Sequence, residues 1–169
     1  MTSVTSGPDP GARRRRRLTT SIKDSLRAVN LQLSLLSHQI GAGLGLKDAD
    51  FDCLELIARQ GPLSPTAIAR RTGLHAATVT GILDRLERDG WVARERDPAD
   101  RRGIVVRALR DRSREVYERF AGMNAAMDRL CGGYSETDLA VIGDFLRRTA
   151  DAGRTETDAV ATRPVRAGA

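Results

Sequence analysis

The sequence predicts a mainly α-helical fold with a small β-wing, and three observations carry that prediction. Residues 64 to 109 read in order as helix, turn, helix and a charged two-stranded ribbon. Apolar residues at alternating spacings of four and three recur on two long segments, one on either side of that stretch. Net positive charge is concentrated in the N-terminal tail and the central stretch. Together these describe a winged helix-turn-helix lobe plus a helical module built from both chain ends.

The central stretch justifies itself residue by residue. Ser64 and Pro65 open a short helix, since Ser is a favoured N-cap and Pro tolerates the first helical position. Ile68 anchors it inward, and Thr72-Gly73 ends it. A second helix starts near His75 or Ala76. Its Val79, Ile82, Leu83 and Leu86 form one apolar stripe that must be buried. The opposite face carries His75, Ala77, Thr78, Gly81, Arg85 and Arg88, with Thr80 beside it, and offers little bulk to block a partner surface. Gly90 stops the helix. Residues 91–96 and 104–109 alternate as strands, joined by the polar tip Asp97-Pro98-Ala99-Asp100-Arg101-Arg102-Gly103. A helix shaped for the major groove beside a ribbon tipped with Arg is the physical outline of a DNA reader.

The flanking segments follow the same logic. Residues 1–17 are expected to be a disordered Arg-rich arm. Arg13 to Arg17 are there either as a solvated tail or as a flexible arm lying on phosphates or in a minor groove. A long helix is expected from Ser21, with Asp24 completing a capping box and Ile22, Leu26, Val29, Leu33, Leu36 and Ile40 forming a seam. Gly41, Gly43 and Gly45 close it. A shorter helix follows over Asp48 to Arg59, stopped by Gly61-Pro62. Residues 111 to 131 read as one long helix, with Val116, Phe120, Met123, Met127 and Leu130 in its seam, broken by Gly132-Gly133. Ser135 with Asp138 begins the last helix, with Leu139, Ile142 and Leu146 inward. The expected organisation is therefore a helical module from 18–46 and 111–150, a DNA-binding lobe at 47–110 and a flexible tail at 151–169. The two seams either join two subunits or pack within one.

Charge distribution supports a nucleic-acid partner. Residues 1–17 carry five Arg against Asp9, and residues 64–110 carry ten Arg against six acids, each a net +4, while the remaining segments are slightly acidic. Arg far outnumbers Lys, which suits bidentate contacts and equally fits a GC-rich genome. No apolar run approaches the roughly 20 residues that span a bilayer, and no secretory signal is visible, so a cytoplasmic protein is expected. Cys53 and Cys131 belong to no C-x-x-C, so no metal site or cofactor is expected. No phosphate loop or nucleophile–base pair is present, and the chain is not expected to be an enzyme.

Gly73-Leu74, Thr78-Val79-Thr80, Leu83-Asp84-Arg85-Leu86-Glu87, Gly90-Trp91-Val92, Arg94 and Asp97-Pro98-Ala99-Asp100-Arg101-Arg102 resemble, in order and spacing, the recognition helix and wing of the MarR family of bacterial transcription regulators. The resemblance implies a homodimer with interlocked terminal helices, here Ile22, Leu26, Val29, Leu33, Val116, Phe120, Met123, Leu139, Ile142 and Leu146. It also implies a repressor reading a near-palindromic operator in double-stranded DNA. On that duplex His75, Ala77, Thr78, Thr80 and Gly81 would face the major groove, with Gly81 departing from the larger polar or basic residue common in the family. Ser64, Arg94 and Arg96 would meet phosphates. Arg85 would do the same or pair with an acid. Arg101 and Arg102 would enter the minor groove, one of them aimed by a charge-assisted bond from Asp100.

Two further readings concern the signal. An oxidant sensor would use Cys131 or Cys53, although the first-helix cysteine of peroxide-sensing relatives is missing here. A small phenolic or other aromatic effector would sit between the module and the lobe, where His38 is a weak candidate contact.

Overall fold

The computed structural model describes residues 9–100 and 102–162. Among these, the order is α1 (Pro10–Gly43), α2 (Asp48–Gln60), α3 (Pro65–Thr72), α4 (Ala76–Arg88), β1 (Val92–Arg96), β2 (Ile104–Ala108), α5 (Arg110–Arg119), α6 (Ala121–Cys131) and α7 (Glu136–Thr162). The mainly helical architecture with a two-stranded wing is the one expected.

The lobe forms where the punctuation demanded it. The Ser64 hydroxyl accepts from the Ala67 N–H at 3.2 Å and caps α3, while Gly73 ends that helix at φ 70°. Val79, Ile82, Leu83 and Leu86 are buried beneath α4, and Gly90 turns the chain at φ 74°. β1 and β2 pair antiparallel, with Val92 opposite Ala108, Arg94 opposite Val106 and Arg96 opposite Ile104. Leu63 adds a further rung, exchanging backbone bonds of 3.0 and 2.8 Å with Val106. Phe51, Ile57, Ile68, Trp91 and Val106 centre the core. Trp91 also lies under the Arg112 guanidinium, 3.7 Å from its ring centroid, which ties α5 to the base of the wing.

Four boundaries differ from expectation. The supposedly disordered arm is helical from Pro10 onward; residues 1–8 lie outside the described ones. Asp9 caps this helix, accepting from the Gly11 and Ala12 N–H groups, and Pro10 takes the first helical position. Arg is itself a good helix former, so a charge run that reads as solvated chain continues the helix. Ser21 therefore lies inside α1, and Asp24 pairs with Arg27 at 2.7 Å instead of completing a cap. At 34 residues, α1 is a rod roughly 50 Å long at ~1.5 Å per residue.

The expected 111–131 helix is interrupted. At Phe120 (φ −85°, ψ 0°) the N–H bonds three residues back, to Tyr117. Gly122, a weak helix former, follows. Ser135 caps α7 as expected, accepting from the Asp138 N–H and donating to its carboxylate. That helix, however, continues through the expected flexible tail to Thr162. Its distal turns lie against α3, where Arg70 and Asp158 approach to 4.0 Å. Residues 163–169 lie outside the described ones.

Finally, the end of α1 belongs to the lobe. Ile40 and Leu46 are buried in its core. Gly41 sits so close to α2 that an added Cβ would meet Phe51 Cγ at 3.1 Å. The division at residues 46 and 47 therefore cuts through packed structure.

Candidate nucleic-acid interface

The amphipathic stripe of α4 fixes which face looks outward. With Val79, Ile82, Leu83 and Leu86 buried, His75, Ala77, Thr78 and Thr80 are exposed together and Gly81 is half-buried. His75 takes the N-cap position without a side-chain cap bond. Thr80 donates its hydroxyl proton to the Ala76 carbonyl at 3.0 Å, which leaves its oxygen as an acceptor. Four of the five expected major-groove residues are thus exposed and Gly81 is partly so, all with side chains of low bulk except His75.

The expected phosphate residues diverge. Ser64 is engaged as the α3 cap and is half-buried. Arg96 is exposed near the ribbon tip. Arg94, however, is turned inward: its Nη1 reaches Glu87, its Nη2 donates to Asp84 at 2.7 Å and its backbone N–H donates to Glu87 Oε1 at 3.1 Å. Partial burial works against its charge, yet the hydrogen bonds to Asp84 and Glu87 outweigh that and push its pKa above the usual range. Asp84 and Glu87 lie one turn apart on α4, so Arg94 clamps the wing to the recognition helix and is not held out for phosphate.

Arg85 takes the second of its two expected roles. Nε and Nη2 donate to the two oxygens of Asp50 at 2.9 and 2.6 Å, a bidentate pair joining α4 to α2. The hydrogen bond to Asp50 raises the Arg85 pKa further. Sequence reading missed Asp50, Asp84 and Glu87 as supports. Asp84 and Glu87 carried a signal, their i,i+3 spacing on the helix before the ribbon. Asp50 carried none, being 35 positions from its partner.

The tip of the wing is held by bonds within the loop itself. Asp97 Oδ1 accepts from the Ala99 N–H at 2.8 Å, and the Gly103 N–H donates to the Asp100 carbonyl at 2.8 Å. Asp100 Oδ1 accepts at 3.0 Å from the backbone N–H of Arg102, and among the described residues no guanidinium bonds to it. Folding this short loop brings the carboxylate to the nearer backbone donor. Arg102 is exposed; Arg101 lies outside the described residues.

The seam residues are largely uncovered. Ile22 (45%), Val29 (53%), Ile142 and Leu146 (47%) are exposed, as is Leu33; Phe145, beside Leu146 on α7 and outside the expected seam, is exposed too. Leu26, Val116, Phe120, Met123 and Leu139 are half-buried. Met123 of α6 shares a small apolar hollow with Val29, Leu33 and Leu36 of α1, so the two seams meet partly within one chain. A cavity of about 340 Å³ lies between α2 and α5–α6, walled by Leu54, Ala58, Val116 and Phe120, with Tyr117 and Asn124 at its margin. His38 is not among its walls, which removes it as a contact there. Cys53 is buried, and desolvation, aided by the charges of Asp52 and Asp50, pushes its thiol up to about 11. Cys131 is half-buried at the end of α6. No cluster able to hold a metal occurs among the described residues, and no helix among them is long and apolar enough to cross a membrane.

The family model described as MarR family matches residues 44–103. The regulator YcgE of Bacillus subtilis, an HTH-type transcriptional regulator, is 34% identical over 119 residues, covering 70% of this chain and 77% of YcgE. The chain belongs to the MarR family. This MarR-family protein is thus a DNA-binding helix-turn-helix transcription regulator and not an enzyme. It is also similar to the HTH-type transcriptional repressor YetL of Bacillus subtilis, 28% identical over 130 residues, or 73% of this chain and 78% of YetL. Among solved structures, the transcriptional regulator Tm0710 of Thermotoga maritima aligns at TM-score 0.58 and 25% identity, covering 81% of this chain and 96% of that one.

Proposed function

We propose that this regulator acts as a homodimeric repressor of a near-palindromic operator, with α4 in the major groove and the wing tip in the adjacent minor groove. The observation that carries the reading is the exposed patch His75, Ala77, Thr78 and Thr80, held at a fixed offset from the Arg102 tip by the Arg94 clamp. Arg96 and Ser64 flank it as phosphate contacts. Dimerisation is favoured by apolar side chains left in water: α1 and α7 expose Ile22, Val29, Ile142 and Leu146, a cost that burial against a second copy removes. A twofold pair of readers demands half-sites about one helical turn apart. Repression is the role named for YetL.

Selection from random duplexes tests this directly. A recovered motif with twofold symmetry supports the dimeric reader; an asymmetric motif, or none, overturns it.

The cavity between α2 and α5–α6 favours one further reading, a small aromatic effector. Its apolar walls and polar margin suit a ring with one polar substituent. A panel of phenols and aromatic acids should include compounds that raise the melting temperature and weaken operator binding together. The oxidant reading rests on Cys131 alone, since Cys53 is buried and stays protonated at neutral pH. If it is right, peroxide alters the band shift of the wild type and leaves that of Cys131→Ser unchanged.

A further inference from the structure

We infer that Asp50 is a positioning residue for the recognition helix: through Arg85 it sets the angle at which α4 meets DNA. The inference rests on α4 being the groove-reading helix. Asp50 is 4% exposed, and both its oxygens are taken by one guanidinium. Two parallel N–H···O bonds fix the plane of that group as well as its distance, which a single contact does not. The pair therefore resists rotation of α4 about its own axis, the motion that would swing Thr78 and Thr80 away from base edges.

Arg85 cannot serve phosphate and Asp50 equally. Drawing the guanidinium out to a duplex would strand a buried carboxylate, and losing one partner of a buried pair is the penalised direction. Asp89, the other acid acting on Arg85, stands at the C-cap of α4 and offers no such fork. One neighbouring feature fits the same arrangement. Phe51, next to Asp50 on α2, packs under Gly41 of α1, so consecutive residues grip α1 and α4. Gly81 lies one turn before Arg85, and a Cβ there would stand 3.7 Å from Arg85 Nη1. That distance is ordinary van der Waals contact, so a methyl group there would rest against Arg85 without disturbing its pairing with Asp50.

The test is a double-mutant cycle of Asp50→Asn, Arg85→Gln and the pair together. Each protein is titrated with the selected operator and with a mixed-sequence duplex across a salt series. Each single variant should weaken operator binding about tenfold, the loss of one base contact, with little change on the mixed duplex. The slope against salt should stay the same, and the double variant should be no worse than the weaker single. Arg85→Lys keeps the charge but loses the fork, so it should behave like Arg85→Gln; it also covers the case in which Asp50→Asn folds poorly. The inference is overturned if Asp50→Asn binds as well as or better than wild type, if Arg85→Lys binds normally, or if Arg85→Gln lowers the salt slope by about one ion as a lost phosphate contact would. A wild type without sequence preference overturns the reading of α4 itself, an outcome separate from all of these.

Discussion

Arg102 stands exposed on a loop whose shape is held by the Asp97 and Asp100 carboxylates, each accepting from a backbone N–H within the loop. A loop presented this way needs little backbone ordering when its guanidinium enters a narrow groove, so removal of that group should be felt. Arg102→Ala is expected to weaken operator binding more than tenfold while the oligomeric state is unchanged, as read by titration at physiological salt and by sedimentation. Cys53 supports a different test. Its folded thiol ionises near 11, against 9.0 ordinarily. The folded state therefore holds this proton more tightly than the unfolded one. The associated stability is complete below pH 9 and is lost as pH rises toward 11. Denaturant titrations of Cys53→Ala should show a shallower loss between those values than the wild type.

Helices whose ends carry strong local chemistry were legible in the sequence. Ser64-Pro65, Gly73 and Gly90 punctuate α3, α4 and the wing because a cap or a left-handed turn is a short-range requirement, satisfied by one or two residues. Ser64→Ala should therefore cost about 1 kcal/mol of stability, measured by chemical denaturation. The misread elements were those whose limits depend on competing signals. In α1 the Asp9-Pro10 start went unread beside five consecutive Arg that read as disorder. In α7 the small polar residues after Ala152 read as frayed chain, although they continue along α3. The site was legible on its exposed side, from His75 to Thr80, and not on its supporting side. The acids that hold Arg85 and Arg94 are chosen by how α2, α4 and β1 pack, and Asp50 is too distant in sequence to suggest itself.

Among the described residues, most exposed large apolar side chains lie outside the lobe, Ile104 of the wing being an exception. The lobe closes its core around Phe51, Leu83, Trp91 and Val106, whereas α1 and α7 carry apolar residues facing water. A second copy covering those residues would join two readers into one rigid unit. Leu146→Asp, or Ile142→Asp, should shift the protein toward monomer in sedimentation and weaken operator binding far more than binding to a half-site. A dimer that survives both substitutions would place the interface elsewhere.

The rung between Leu63 and Val106 has a mechanical consequence. It staples the short connection between α2 and α3 to the outer margin of the ribbon, so that margin is not left as an open template for a foreign strand. It also means that the connection has no slack. An added residue between Gly61 and Ser64 would either break the staple or tug the hairpin out of line with α4, and the spacing between helix and wing would then drift without any change in the residues that touch DNA.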